Sequence, residues 1–297
     1  MRTVFLGTSE FAVAVLRRLA ASEHRPELVV TRPDRPRGRG RRLTPPPVAQ
    51  AALQMGLAVD QPESVNDESA LRRIQRVNPA VVCVCAFGGL IREPLLSSYR
   101  MLNVHPSLLP RWRGAAPIER AIMAGDEETG VSIMQLTAGL DSGPVCLQAV
   151  EPIRSQDTYG SLASRLADLG GQLLVRALSG EPPCHEQDDS LVTYAEKIGP
   201  EDRRLDPTRA AAVLERVVRA LAPHVGAYVE LEDGQRLGVS EARAVSRAGE
   251  SPPTGALDTS EGLPRRICAS GTLELLRVKP PGRREMAGQA WLRGLRS

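Results

Sequence analysis

Nothing in the 297 residues is apolar for long enough to cross a bilayer, since a spanning helix needs about 20 consecutive apolar residues and no run here approaches that. The opening Met1-Arg-Thr-Val-Phe-Leu-Gly7 is a short strand pattern ending in glycine. It has no long apolar stretch of the signal-peptide kind, so a cytoplasmic protein without a membrane partner is expected. Cysteine is sparse: Cys83, Cys85, Cys146, Cys184 and Cys268 are an odd number and form no Cys-x-x-Cys pair. Neither a disulfide framework nor a metal site is expected on that pattern, and adjacent Cys184-His185 lacks a second pair of ligands. Three catalytic signatures are also missing. Without Gly-x-x-x-x-Gly-Lys-Ser/Thr there is no P-loop, and without Gly-x-Gly-x-x-Gly no dinucleotide fingerprint. Without a Gly-x-Ser-x-Gly elbow, or a cysteine before a helix near a histidine, no covalent acyl-enzyme is indicated. Lysine is almost absent, with only Lys197 and Lys279, so arginine carries nearly all the positive charge.

What is present is a chain of 42% hydrophobic residues, enough for real cores, and long enough for two unequal domains. Net charge is only +3 but unevenly spread. Residues 32–42 set six arginines against Asp34, residues 181–206 set eight acids against three bases, and residues 265–297 set eight bases against two acids. Such asymmetry points to an anionic partner.

Taken in order, Thr3 to Leu6 is a first strand, and Phe11, Val15 and Leu19 recur at helical spacing behind Gly7. Leu28 to Thr31 is a second strand, whose following helix is delayed to about Pro46 by the arginine-rich segment, read as a functional loop. Leu57 to Asp60 is a short strand, Glu68 to Val77 a helix, and Ala80 to Ala86 a continuous apolar run suited to a strand buried on both faces of a parallel sheet. It breaks at Phe87-Gly-Gly-Leu-Ile91, where glycines let a ligand approach backbone, although taken alone the stretch reads first as an ordinary strand-to-helix turn. Val131 to Leu136 and Val145 to Val150 read as strands flanking a turn with Asp141 between Gly139 and Gly143, and Thr158 to Leu178 as a long amphipathic helix. The first domain closes near residue 182. Residues 183–205 read as a linker, Asp206-Pro207 as the start of a helix striped by Leu214, Val217, Val218 and Leu221, and the following short strands as a small barrel with a loop over 246–264.

Chemistry concentrates in Met101-Leu-Asn-Val-His-Pro-Ser-Leu-Leu-Pro-Arg-Trp-Arg-Gly-Ala-Ala-Pro-Ile118. Alternation puts Asn103 and His105 on one strand face, and Pro106 ends the strand there, at the kind of carboxyl end where open α/β sheets bind ligands. Histidine exchanges protons near neutrality, the Asp141 carboxylate can orient it, and an amide can donate to a developing oxyanion. That set suits direct attack of an amine on a bound acyl donor. A polar strand end with no catalytic role is the competing reading of Asn-x-His alone.

The chain resembles the methionyl-tRNA formyltransferases, within the 10-formyltetrahydrofolate-dependent formyltransferases. The resemblance runs from Gly7-Thr-Ser-Glu-Phe11 through Arg32-Pro-Asp-Arg-Pro-Arg-Gly-Arg39, the 103–117 stretch and Asp141-Ser-Gly143 to Val192-Thr-Tyr-Ala-Glu-Lys197. It implies an α/β fold with a Rossmann-like, mostly parallel sheet over 1–182, a linker over 183–205 and an OB-like β-barrel domain over 206–297. It implies catalysis by Asn103, His105 and Asp141. The reduced folate is placed against Ser107, Leu108, Leu109 and Pro110, against Phe87, Gly88, Gly89, Leu90 and Ile91, and against Leu140, Ser142 and Gly143. Initiator methionyl-tRNA is the implied acceptor, engaged by Arg35, Arg37, Arg39, Arg41 and Arg42 and by the barrel; no metal is expected from the residue pattern, and a monomer is expected. Departures are Phe87 in place of a frequent tyrosine, arginine at 41–42 in place of lysine, and Pro223-His-Val-Gly226 in place of Pro-Trp-Pro. A formyltetrahydrofolate hydrolase or an aminosugar formyltransferase would share the trio. A noncatalytic RNA-binding module would use only the basic segment and the barrel.

Overall fold

The computed structural model describes residues 1–37, 40, 42–246, 253–260 and 262–295, with Arg37 and Leu295 described by backbone alone. The elements run β1 (Thr3–Gly7), α1 (Glu10–Ala20), β2 (Leu28–Val30), β3 (Arg35–Arg37), β4 (Arg42–Thr44), α2 (Pro47–Gln54), β5 (Val59–Asp60), α3 (Glu68–Val77), β6 (Val81–Cys85), α4 (Leu95–Ser98), β7 (Arg100–His105), β8 (Arg113–Gly114), α5 (Pro117–Ala124), β9 (Glu128–Gln135), β10 (Val145–Pro152) and α6 (Tyr159–Gly180). After these come β11 (Tyr194–Ala195), α7 (Ala211–Leu221), β12 (Ala227–Glu230), β13 (Arg236–Val245), β14 (Leu257–Asp258), β15 (Arg265–Ile267), β16 (Thr272–Lys279), β17 (Met286–Ala287) and α8 (Gly288–Leu295).

The chain forms two compact units. The first comprises residues 1–114, 129–152 and 163–194, and its sheet has the order β10-β9-β7-β6-β1-β2-β5. From β7 through β6, β1 and β2 to β5 every pairing is parallel, while β9 runs antiparallel to β7. The apolar run read as a doubly covered strand is β6, buried at every position. Cys83 and Cys85 sit within it as free thiols; burial pushes the Cys83 thiol up to about 12 and raises that of Cys85 as well, so neither supplies a thiolate. Because the chain moves outward from β1 to β2 and β5 and then returns to β6, the order reverses between β1 and β6, and such a switch point opens a crevice at the carboxyl ends of the strands. Thr8, just past β1, donates its hydroxyl to the Phe87 carbonyl at 2.7 Å and so ties the two lips together.

The second unit comprises residues 115–128, 153–162 and 195–297. It does not follow the linear division expected from sequence, because α5 packs on α7: Arg216 Nε donates to the Met123 carbonyl at 3.2 Å, and Arg219 Nη1 donates to that of Asp157 at 2.8 Å. Its antiparallel sheet has the order β12-β13-β16-β15-β14, with β17 on β16. Leu214, Val217, Val218 and Leu221 are buried against it, the stripe the spacing anticipates.

Several local expectations change. The arginine-rich segment contains a β-hairpin, β3 with β4, in the register Arg35 to Thr44 and Arg37 to Arg42. The 246–264 loop contributes β14, paired with β15. The helix expected at Pro207 begins at Ala211, since Asp206 instead closes a turn on Thr208 N at 3.0 Å and the Ala211 N–H is taken by the Ser270 carbonyl at 2.8 Å. A disulfide joins Cys146 to Cys184, against the expectation of none. Sequence spacing conceals it because the cysteines meet across an antiparallel bridge in which Val145 and His185 exchange hydrogen bonds of 2.8 and 2.9 Å.

The Gly170-Gly171 pair sits mid-way along the 22-residue α6 where the helix lies tightly on its neighbours: a Cβ at Gly170 would come 2.7 Å from Val104 Cγ1, and one at Gly171 would come 2.8 Å from Arg18 Cβ. Alanine improves helix propensity by about 1 kcal/mol, but overpacking costs about 1–3 kcal/mol. Gly170→Ala should therefore destabilise the protein, seen as a lower urea midpoint. In the second unit Arg120 donates to both Asp202 oxygens at 2.7 and 3.0 Å, and these hydrogen bonds hold the carboxyl below its ordinary 3.8. A depressed pKa stabilises above the unfolded value and the contribution disappears as pH falls through the folded one. The stability difference between wild type and Asp202→Asn, measured by urea unfolding, should be full at neutral pH and shrink below about pH 4.

Candidate active site

Strand β7 delivers Asn103 and His105 to one face, with the sheet burying both; they are 8% and 5% exposed. Asp141 arrives from the turn between β9 and β10 at φ +47°, a left-handed backbone that is uncommon outside glycine and that aspartate adopts more readily than most. Its Oδ1 lies 3.5 Å from Asn103 Nδ2, its Oδ2 lies 3.7 Å from His105 Nδ1, and Oδ2 accepts the Gly114 N–H at 2.9 Å. The three predicted groups therefore converge at one strand end.

The other imidazole nitrogen fixes the tautomer. His105 Nε2 lies 2.9 Å from the Trp112 carbonyl oxygen, which can only accept, so Nε2 carries a proton and donates it. In the neutral ring Nδ1 is then the basic nitrogen, on the side facing Asp141. Trp112 presents that carbonyl from a left-handed conformation at φ +63°, steadied by its N–H donating to Thr193 Oγ1 at 2.9 Å. An amide nitrogen has two hydrogens, and Asp141 engages one of Asn103's, which leaves the second for an oxygen bound beside the ring.

The segment after β7 is rigid and largely self-satisfied. Ser107 is fully buried and donates its hydroxyl to the Arg111 carbonyl at 2.7 Å. Leu109 N–H donates to Ser132 Oγ at 3.1 Å, and the Leu109 carbonyl accepts Gln148 Nε2 at 2.8 Å. Leu108 and Pro110 are half-buried. On the β6 side Phe87 is buried, Gly88 takes φ +71°, Ile91 is half-buried and Leu90 is 66% exposed. Gly89 is pinned, since a Cβ there would meet the Phe87 ring at 2.8 Å. Asn66 clamps this loop by donating to the Leu90 carbonyl and accepting the Arg92 N–H, each at 2.8 Å. In the Asp141 turn Leu140 is 62% exposed and Ser142 half-buried, while Gly143 is buried where a Cβ would strike the Gln135 carbonyl.

Of the five arginines proposed for an anionic partner, Arg35 and Arg42 are exposed on the β3–β4 hairpin, and Arg35 Nη2 pairs with Glu63 Oε2 at 2.6 Å. Arg37 is described by backbone alone, and Arg39 and Arg41 lie outside the described residues. Sequence reasoning missed Thr193, Gln187 and the individual roles of Trp112, Arg113 and Gly114. The last three lie inside the motif stretch, whereas Gln187 carries no local signal. Among the described residues no cluster of histidine, cysteine and carboxylates of metal-binding kind occurs, and no helix is long and apolar enough to cross a membrane.

Comparison with known proteins gives a consistent set of likenesses. Residues 1–178 match the formyl transferase family, and residues 197–296 match the formyl transferase C-terminal domain. The chain is 45% identical over 301 residues to the methionyl-tRNA formyltransferase of Halorhodospira halophila, covering 99% of this chain and 96% of that one. It is 43% identical over 298 residues to that of Methylococcus capsulatus, covering 98% and 96%. The fold is also that of HypX from Aquifex aeolicus, solved in complex with tetrahydrofolic acid, at TM-score 0.67 and 17% identity over 98% of this chain and 47% of that one.

Proposed function

Since the chain belongs to the formyl transferase family, among the methionyl-tRNA formyltransferases, we propose that it moves the formyl group of 10-formyltetrahydrofolate to the free amino group of initiator methionyl-tRNA, supplying the formylated initiator for translation. The observation carrying this reading is the convergence of Asn103, His105 and Asp141 at the end of β7, with the imidazole tautomer set by Trp112.

The donor lies in the crevice between β1 and β6, against the Phe87 to Ile91 loop, the Ser107 to Pro110 turn and the Leu140 to Gly143 turn. The methionyl amine attacks the formyl carbon, and negative charge grows on the formyl oxygen, where the spare Asn103 hydrogen donates. A carbon–nitrogen bond forms to the amine and the bond to the folate nitrogen breaks. His105 Nδ1 takes the proton the amine sheds, and the departing folate nitrogen receives one, so protons balance. The Trp112 carbonyl orients the ring, and Asp141, held by the Gly114 N–H, stabilises its charge once Nδ1 is protonated. Arginines of the β3–β4 hairpin and of the basic 265–297 stretch hold the tRNA. The protein acts as a cytoplasmic monomer.

Mass measurement of methionyl-tRNA after incubation with the protein and 10-formyltetrahydrofolate tests the reaction directly, and an unmodified product would overturn it. Asn103→Ala should lower kcat by about 10²–10³, as other losses of a single oxyanion donor do. His105→Ala should also lower kcat, with folate affinity by calorimetry little changed; full turnover in either variant removes it from the chemistry.

Phosphate contacts release counterions, so log affinity for tRNA should fall with log salt, and each lost contact should flatten the slope by about 0.7–0.9. A salt titration of wild type against Arg42→Ala reads this. Identical slopes would make Arg42 a solvated surface residue rather than a tRNA contact.

A further inference from the structure

Asp141 is the least supported member of the trio by its own secondary structure. It sits at the tip of a connection, with a left-handed backbone and an exposed leucine beside it, and yet its carboxylate has to stay registered to Asn103 and His105. The hold comes from a segment 40 and more residues downstream. Gln187 Nε2 donates one hydrogen to the Asp141 carbonyl at 2.9 Å and the other to the Gly143 carbonyl at 2.8 Å. Gln187 Oε1 accepts from Arg113 Nε at 3.0 Å. Arg113 is 5% exposed and its Nη2 is bound by Asp189 Oδ1 at 2.9 Å. The next residue, Gly114, gives its N–H to the Asp141 carboxylate. The turn is thus gripped from its backbone by Gln187 and from its carboxylate by Gly114, and both grips are referred to the same short β8 strand.

We propose that Gln187 is a positioning residue that holds the Asp141 carboxylate in register with His105 and Asn103, acting through the backbone of the 141–143 turn and not on the substrates. The chemistry of the side chain singles it out. Two divergent donors and one acceptor at this reach are what a glutamine offers; glutamate keeps the length but has no donor when ionised, asparagine is a methylene short, and lysine has no acceptor. The segment carrying it is fastened at both ends. Before Gln187 stand the Cys146–Cys184 disulfide and the reciprocal Val145–His185 bridge, and after it Thr193 receives the N–H groups of Trp112 on Oγ1 and Arg113 on its carbonyl, at 2.9 Å each. Residues 184–193 therefore act as a strap across the Asp141 turn. The same strap steadies Trp112, whose carbonyl sets the His105 tautomer. The proposal rests on the reading above that Asp141 belongs to the catalytic set.

The test compares Gln187→Ala, Gln187→Glu and Asp141→Asn in the full-length protein, reading kcat and KM for methionyl-tRNA, folate affinity by calorimetry, and unfolding midpoint. Misplacing a catalytic group by about 1 Å costs up to about 100-fold, so Gln187→Ala should lose about 10- to 100-fold in kcat with KM and folate affinity within about twofold. Gln187→Glu should lose at least as much although it preserves length and the Arg113 partner, because an ionised carboxylate faces two carbonyls. Its turnover relative to wild type should recover as pH is lowered and the acid regains one O–H donor, which a mere packing role would not produce. Wild-type kcat in Gln187→Glu alongside a crippled Asp141→Asn overturns the proposal alone. Wild-type kcat in Asp141→Asn overturns the catalytic reading of Asp141, and the proposal with it. Should Gln187→Ala fail to fold, the near-isosteric Gln187→Glu still decides.

Discussion

A carbonyl oxygen can accept a hydrogen bond but never donate one, and that asymmetry at Trp112 governs the site. It obliges His105 to carry a proton on Nε2, which makes Nδ1 the nitrogen that can take another. Everything nearby serves to keep that carbonyl where it is. Trp112 pays for its left-handed backbone through the Thr193 hydroxyl on its N–H, and Gly114, two residues on, reaches Asp141 from the same short strand. Were the segment free to relax into the extended region, the tautomer and the carboxylate would lose their reference together.

The two units handle charge differently. In the first, the buried charged groups near the site are few and individually satisfied, as with Arg113 between Gln187 and Asp189. A buried guanidinium without such partners would be strongly unfavourable, so the arrangement is cohesive: removing one partner exposes the cost of the other. In the second, Glu274 is 5% exposed and lies between Arg243 and Arg265, at 2.7 and 3.2 Å. Its hydrogen bonds and the two positive charges outweigh the burial that opposes ionisation, leaving the carboxyl below its ordinary range. Because Arg243 and Arg265 both stand opposite Glu274 in the strand register, the carboxylate orients the two arginines across the sheet.

What was legible in the sequence was what depends on period and on local turn chemistry. The alternation of Leu102 and Val104 with Asn103 and His105 put the polar pair on one face, and the apolar run ending at Cys85 read as a doubly covered strand because it is one. Leu214, Val217, Val218 and Leu221 spelled out a helix stripe at the right place, though its start was misplaced by the Asp206-Pro207 pair, whose capping carboxylate serves a turn instead. The hairpin in the arginine-rich segment was read as loop because Arg and Pro alternate there with no apolar face, and β14 escaped because a two-residue strand has no period at all. The Cys146–Cys184 bond and the folding of residues 115–128 onto the C-terminal unit were hidden for a common reason, that both are contacts between segments far apart in the chain.

The same reasoning explains why the support of the site is harder to read than the site. An amide, an imidazole and a carboxylate announce themselves by residue type near glycine and proline. A residue proposed to steady them need only match hydrogen-bond counts with whatever backbone the fold brings past it. Gln187 sits in a strongly acidic stretch, where a neutral amide looks like one more solvated polar residue. Its significance arises only when the turn at Asp141 presents two carbonyls and Arg113 one N–H to the same point. A carboxylate like those around it would satisfy Arg113 and repel both carbonyls. A neutral amide at position 187 therefore follows from what the fold presents there, two acceptors from the turn and one donor from Arg113.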